Sequence, residues 1–499
     1  MTSGGVVATV VNPALRDRAA RWLRGARAKL PTLAELANPS TIPEAIVTGL
    51  RPVDPDRPDP ANLFRVHWYN NRSRSGFTET PLYLVLPREL TGVRALIVVV
   101  LGCFFPMIGA HKVLAAYGCL IPRLVTGRFD PTQHKAVWPS TGNYCRGGIA
   151  ISRILDCRGI AVLPTGMSEE RFEWLRAWVT RPDDIIRTAG SESNLKEIYD
   201  KCAELAQDPS NVILNQFAEF GNYVAHYACT GPALTRVFDS FRAQQSSRRL
   251  AAFVAASGSA GTLAAGDYLK QECGARIVVV EASECPTLLR NGFGEHNIQG
   301  IGDKHVSYIH NVMNTDIVVG VSDHSTGALD LLFNSETGLS YLSDRRHIDP
   351  EVIAGLKHLG LSGIANVIAA IKTAKRLELG DEDVLVTVAT DSAALYGSER
   401  QKFLAAHYPN GFDEVNAGEV FGQHLLGITD NEVLELTHVD RSRIFNLGYF
   451  TWVEQQGVQL EAFERRRGQG FWRELRQAAP AWDALIAEFN ARAGWGEGC

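Results

Sequence analysis

Between Arg94 and Arg400, short apolar runs alternate with longer segments whose apolar residues recur at helical spacing, and no other feature restricts the fold as much. The runs are ALIVVVL, IAVLP, LAAFVAA, RIVVVEA, TDIVVGV and DVLVTVA. They are apolar at odd and even positions alike. Successive side chains of a strand point to opposite faces, so such runs suit strands covered on both sides. Between them lie RFEWLRAWV, ESNLKEIYDKCAEL, GTLAAGDYLKQECG and ANVIAAIKTAKRLEL, which are amphipathic and long enough to be helices. Strands alternating with helices predict an α/β fold with a parallel sheet and crossover connections.

A chain of 499 residues exceeds the size at which one core keeps growing, which predicts two or three packed units. With 45% hydrophobic and 21% charged residues, the composition is that of a globular protein. A net charge of -5 leaves no basic footprint for nucleic acid, and the run Arg465, Arg466, Arg467 is short and flanked by acids. The longest apolar run, Ala95 to Phe105, is too short to cross a bilayer as a helix, so no membrane partner is expected. The N-terminus lacks the basic, apolar and small-residue zones of a secretion signal, which makes the cytoplasm the expected compartment. Nine scattered cysteines show neither a CxxC pair nor a metal-like spacing, and most of them read as small buried hydrophobes. Residues 1–80 read as an extension, a surface arm or linker in which a helical segment gives way to the proline-rich RPVDPDRPDP. Residues 401–499 are helix-like and aromatic, suited to a third layer, a lid or an oligomer contact.

The segment SGSAGT, Ser257 to Thr262, follows one strand candidate and opens one helix candidate. Small residues there leave backbone N–H groups and the helix dipole open to a phosphate. The segment has neither the P-loop nor the dinucleotide pattern, so the phosphate need not belong to a nucleotide.

These pieces, in their order, resemble the fold-type II pyridoxal-phosphate enzymes, above all the cysteine synthases and cystathionine β-synthases. GSAGT resembles that family's GTGGT phosphate loop, while VVVEASECPTLL and QGIGDK resemble its VEP-type strand and IQGIG loop. ILNQFAEFGNYVAHYACTGPAL is similar to its NQF segment and TGPEI helix, and STGNYCRGG to its SGNTG loop. FFPMIGAHK ends on Lys112 where the family has its lysine, with a GAHK like that of the tryptophan synthase β chain. GLSGIAN resembles GISSGAN, and VTVATDSAALYGSE the last strand and PDSGERY motif. The likeness runs from Thr80 to Arg400.

The resemblance implies that Lys112 holds pyridoxal 5'-phosphate as a Schiff base and later moves the substrate α-proton, chemistry open to a lysine amine whose pKa is lowered. It implies that Gly258, Ser259, Ala260, Gly261 and Thr262 hold the phosphate, that Asn143 bonds the ring hydroxyl, and that Ser392 faces the pyridine nitrogen. The substrate carboxylate would meet Ser140, Thr141 and amides near Gly142, with Gln216 closing over it. A hydroxyl at the ring nitrogen makes the ring a weaker electron sink, which favours β-elimination or β-replacement on an L-amino acid through an aminoacrylate. Lyase and synthase outcomes both remain open. The competing reading is a cofactor-binding partner subunit that has lost catalysis.

The substrate loop departs from the family, with Tyr144, Cys145 and Arg146 where small residues are usual. Arg146 either pairs with a second anionic group on the substrate or packs elsewhere. Cys145 reads as structural, for want of an activating partner. His111 either contacts the phosphate or caps a helix, and the spacing of His296, His305 and His310 matches no common metal site. The implied architecture is a larger domain of residues 81–112 and 236–400 and a smaller mobile domain of residues 113–235. The cofactor would lie in the cleft between them, and a homodimer is expected.

Overall fold

The computed structural model describes residues 6–301 and 304–495, so Gly302 and Asp303 of the QGIGDK segment lie outside the described residues. Among the described residues, eleven strands form two sheets: β1 (Tyr83–Leu86), β2 (Leu96–Leu101), β3 (Lys135–Pro139), β4 (Arg158–Pro164), β5 (Ile185–Thr188), β6 (Asn211–Ile213), β7 (Arg249–Ala256), β8 (Arg276–Ala282), β9 (Ile317–Val321), β10 (Asp383–Ala389) and β11 (Val433–Glu435). The larger sheet runs β1-β2-β10-β7-β8-β9-β11. Its central strands are parallel, while β1 and β11 pair antiparallel at the two edges. The smaller sheet, β5-β4-β3-β6, is parallel throughout. Each apolar run named from the sequence is a strand, and each amphipathic segment contains a helix.

The larger sheet has helices on both faces, and every residue of β10 is buried. That explains why its strands read as unbroken apolar runs. Between β2 and β7 the chain leaves this sheet, builds the smaller one, and returns. Helix Lys112–Val125 makes the outward passage, so Lys112 sits where the two sheets meet.

The expectation of a surface arm over residues 1–80 is corrected by the packing. Helix Pro13–Gly25, capped by the Asn12 side chain, buries Arg16, Ala19, Ala20 and Leu23. Arg16 pairs with Glu488 at 3.1 Å, and Asn490 exchanges hydrogen bonds with both backbone groups of Leu30 at 3.0 and 2.8 Å. The two termini therefore form one layer, with helix Ala478–Arg492 on the inside of the contact. The proline-rich stretch is ordered around the buried Arg65, whose guanidinium donates to Leu50 O at 2.7 Å, Val53 O at 3.1 Å and Asn62 Oδ1 at 2.6 Å. Prolines argue against helix and sheet, but they do not argue against burial around a guanidinium that satisfies loop carbonyls. Trp68 then reaches the site: its ring packs on Phe105 and His111, and its Nε1 donates to Thr230 Oγ1 at 2.9 Å.

Candidate active site

A cleft between the two sheets is lined by His111, Lys112, Ser140, Thr141, Asn143 and Gln216 on one side. Gly258 to Thr262, Gly300, Ser362, Asn366 and Thr390 line the other. It gathers most of the residues singled out in the sequence, from segments as far apart as Lys112 and Thr390.

Lys112 opens its helix, and its Nζ donates to Gln216 Oε1 at 3.0 Å and to Ser259 Oγ at 3.1 Å. Burial of the ammonium brings its pKa down to about 8, so near neutrality a useful fraction is free amine. Gln216 passes the link onward by donating from Nε2 to Ser140 Oγ at 3.3 Å. Ser140 Oγ also accepts from Gly142 N at 3.0 Å, which folds the loop after β3 into a compact turn. At φ 149° Gly142 occupies backbone space that other residues rarely adopt, and a Cβ there would lie 2.5 Å from Arg171 Cδ.

The 258–262 turn joins β7 to helix Leu263–Cys273, with Ala260 in left-handed backbone at φ 63°. Ser259 Oγ accepts from Asn222 Nδ2 at 3.0 Å and from Gly261 N at 3.4 Å, in addition to Lys112. Gly261 lies so close to the Asn222 amide that a Cβ would displace it. A phosphate suits this turn because N–H groups, two hydroxyls and a helix N-terminus converge on it.

Among the described residues, the ring nitrogens of His111 and Oδ1 of Asn366, which line the cleft, and Oδ1 of Asn222, beneath Ser259, are buried without protein partners. His111 holds the N-cap position of the Lys112–Val125 helix, but its side chain makes no capping hydrogen bond. Burial, the neighbouring His226 and Lys112 push its pKa far down, so it is a neutral imidazole facing the cleft with a donor to give. Orphaned polar groups around an amine and a phosphate-type turn are what a buried phosphorylated ring cofactor would satisfy. The residues present fit that group.

Asn143 lines the cleft and is held from behind. Its Nδ2 donates to Asp391 Oδ2 at 2.6 Å, and its Oδ1 accepts from Arg146 Nη1 at 2.9 Å. Asp391 Oδ2 also accepts from the Tyr396 hydroxyl at 2.7 Å, and Arg171 donates to that hydroxyl at 2.9 Å and to Gln299 Oε1. Burial pushes the Asp391 pKa up against the opposing pull of Arg171. For Arg171, burial is outweighed by Tyr396 and Asp391, and its pKa is raised.

Two sequence expectations are placed elsewhere by the structure. Arg146 does not line the cleft: one helical turn beyond Asn143, it is buried, donates to Ile108 O at 2.9 Å, and lies over the Trp174 ring. It braces Asn143 and is not presented to a substrate. Ser392 lies in a separate depression with Cys103, Trp174 and His358. The chain turns after β10, so Asp391 points into the buried network and Ser392 away from the cleft. Near it in sequence and space, Thr390 and Ser362 carry hydroxyls that do line the cleft, 2.9 Å apart.

Cys145 is fully buried, donates to Gly142 O at 2.8 Å, and has its thiol pKa pushed up to about 12 by burial, which leaves it inert. Among the described residues no cluster of His, Cys, Asp or Glu could hold a metal. Reasoning from sequence gave no role to Thr390, Ser362, Asn366 or Glu192, all of which line the cleft. The GLSGIAN segment contained two of them. Glu192 sits in an undistinguished SESN stretch with nothing to flag it.

The model of a family described as pyridoxal-phosphate dependent enzymes matches residues 74–391. A probable cysteine synthase of Bacillus subtilis is 29% identical over 299 residues, covering 59% of this chain and 86% of the relative. Cysteine synthase 3 of Caenorhabditis elegans is 31% identical over 270 residues, covering 52% of this chain and 70% of the relative. Among solved structures, O-acetyl serine sulfhydrylase isoform 3 from Entamoeba histolytica superposes with a TM-score of 0.55 at 21% identity, covering 69% of this chain and 93% of that one.

Proposed function

Because this chain belongs to the family of pyridoxal-phosphate dependent enzymes, we propose that it eliminates or replaces the β-substituent of an L-amino acid of the serine, cysteine or O-activated serine type, with Lys112 as its catalytic amine. The observation that carries the proposal is the Lys112 amine, held between Gln216 and Ser259 where the carboxylate loop and the phosphate-type turn meet. The names of the relatives point the same way, since they are cysteine synthases and a sulfhydrylase.

Pyridoxal phosphate, when bound, supplies a carbonyl that condenses with amines and a ring that withdraws electrons from the α-carbon. Lys112 would hold it through a Schiff-base linkage, residues 258–262 and His111 would hold its phosphate, and Asn143 would hold the ring edge. In place of Ser392, the Thr390 and Ser362 hydroxyls are assigned to the ring nitrogen. Ser140, Thr141 and the amides near Gly142 take the substrate carboxylate, with Gln216 beside them. The Lys112 Nζ, with its pKa brought down to about 8, takes the proton from the substrate α-carbon and can return it. Arg146 acts only by fixing the Asn143 amide.

The domain division, residues 81–112 with 236–400 against 113–235 and flanked by 1–80 and 401–499, is part of the same reading. It is supported by the strands of the smaller sheet, which all fall between Lys135 and Ile213. A cytoplasmic homodimer completes the proposal, on the strength of the family likeness. No helix among the described residues is long and apolar enough to cross a membrane.

The test is a visible absorbance scan of protein loaded with cofactor, before and after serine, O-acetylserine and cysteine, with Lys112→Ala alongside. The expected outcome is a visible band that one donor shifts, and a loss of turnover of at least about 10³-fold in Lys112→Ala. A wild type that takes up no cofactor, or whose band no amino acid perturbs, would end the proposal.

A further inference from the structure

Glu192 lines the cleft, yet the proposed chemistry does not use it. Glu192 is only 2% exposed and lies in the segment after β5. Its Oε1 accepts from the Thr141 hydroxyl, in the loop after β3, and from Gly300 N at 3.0 Å, in the segment between β8 and β9. One carboxylate oxygen thus ties the smaller sheet to the larger one across the cleft.

The donors it takes are the kind an amino-acid carboxylate needs. A threonine hydroxyl has a single O–H and a glycine amide a single N–H, and both are already given to Glu192. Two carboxylates sharing so small a site also repel each other. An incoming carboxylate therefore cannot accept from the Thr141 hydroxyl while that hydroxyl is given to Glu192.

We propose that Glu192 is an internal competitor for the substrate-carboxylate subsite, a residue that sets both the affinity and the anionic selectivity of the cleft by requiring an amino-acid carboxylate to displace it. The inference rests on the assignment of Thr141 to the substrate carboxylate given above. Apparent affinity is then the intrinsic affinity reduced by the fraction of molecules in which the contact is open. Each charge-assisted bond that must be released lowers that fraction.

The test titrates cofactor-loaded protein with L-serine and O-acetyl-L-serine, following the visible band, in the wild type, Glu192→Gln and Glu192→Ala. The concentration giving half the spectral change falls about tenfold in Glu192→Ala, and by less in the isosteric Glu192→Gln. An unchanged value overturns the proposal. A raised value overturns it too, by making Glu192 a direct contact of the substrate. A second readout needs neither cofactor nor substrate: backbone amide exchange in the peptide containing Gly300 becomes faster in Glu192→Ala, and unchanged protection counts against the tie between the sheets. A wild type with no visible band removes the assigned function instead, and the exchange measurement then decides on Glu192 alone.

Discussion

The turn at 258–262 and the loop at 140–142, with the first turn of the helix Asn143–Ile154 that follows it, are linked through Lys112 and Gln216, yet different forces hold them in shape. The turn is a backbone construction. It sits at the end of β7, a long buried strand, and needs small residues, one left-handed backbone position and the Asn222 amide beneath it. The loop follows the short β3 and is held by charge, with Arg146, Arg171 and Asp391 gathered around Asn143. Its sheet is also weaker in pattern, since β6 is half-exposed along its length whereas β10 is buried throughout. A binding surface made of backbone depends on sterics that are local in sequence. One made of buried charges depends on partners brought from far away, here from Asp391 to Asn143 across 248 positions.

Three measurements would break or sharpen this contrast. The largest effect is expected from Asp391→Ala, which leaves the buried Arg171 without its carboxylate and frees the Asn143 amide. Denaturant unfolding should show a loss of about 3–5 kcal/mol, and a loss below about 1 kcal/mol would mean that charge does not organise the loop. Gly261→Ala is next: the added Cβ presses on Asn222, which carries Ser259. It should cost about 1–3 kcal/mol, seen as weaker cofactor retention on dialysis with the smaller sheet still folded by circular dichroism. Equal damage to both halves would erase the distinction. The smallest effect concerns Lys112, which joins the two. Burial lowers its pKa to about 8, so the fraction of free amine rises as pH climbs toward that value and levels off beyond it. Cofactor-free protein should therefore capture pyridoxal phosphate about tenfold faster per pH unit below pH 8, with a plateau above. A profile still rising through pH 9.5 would place the lysine in water rather than in the cleft.

Much of the fold was legible because the larger sheet is covered on both faces, and full burial writes itself into sequence as unbroken apolar runs. β2, β7, β8, β9 and β10 could be read that way. KAVWP, IIRT and NVI could not, since each is short, half-exposed or interrupted by polar residues, and their pairing is decided by neighbours. The N-terminal segment was misread as a surface arm for a related reason. Its proline-rich stretch carries no regular pattern and closes on the buried Arg65, while its helical part is covered through Asn490, Asp483 and Glu488 at the far end of the chain.

The α/β alternation, the lysine after FFPMIGAH, the small-residue turn at 258–262 and the polar segment at 140–143 are legible in the chain alone, because each is a contiguous pattern whose chemistry is set by its own residues. Packing settles which hydroxyl enters the cleft. Thr390 and Ser392 are two positions apart, and the turn after β10 sends one into the site and the other out. It likewise turned Arg146 from a candidate substrate contact into a brace, and brought Glu192 from an unmarked segment onto Thr141 and Gly300. Side-chain direction and long-range pairing of charges depend on how whole elements pack, and that packing is not recorded in any one stretch of sequence.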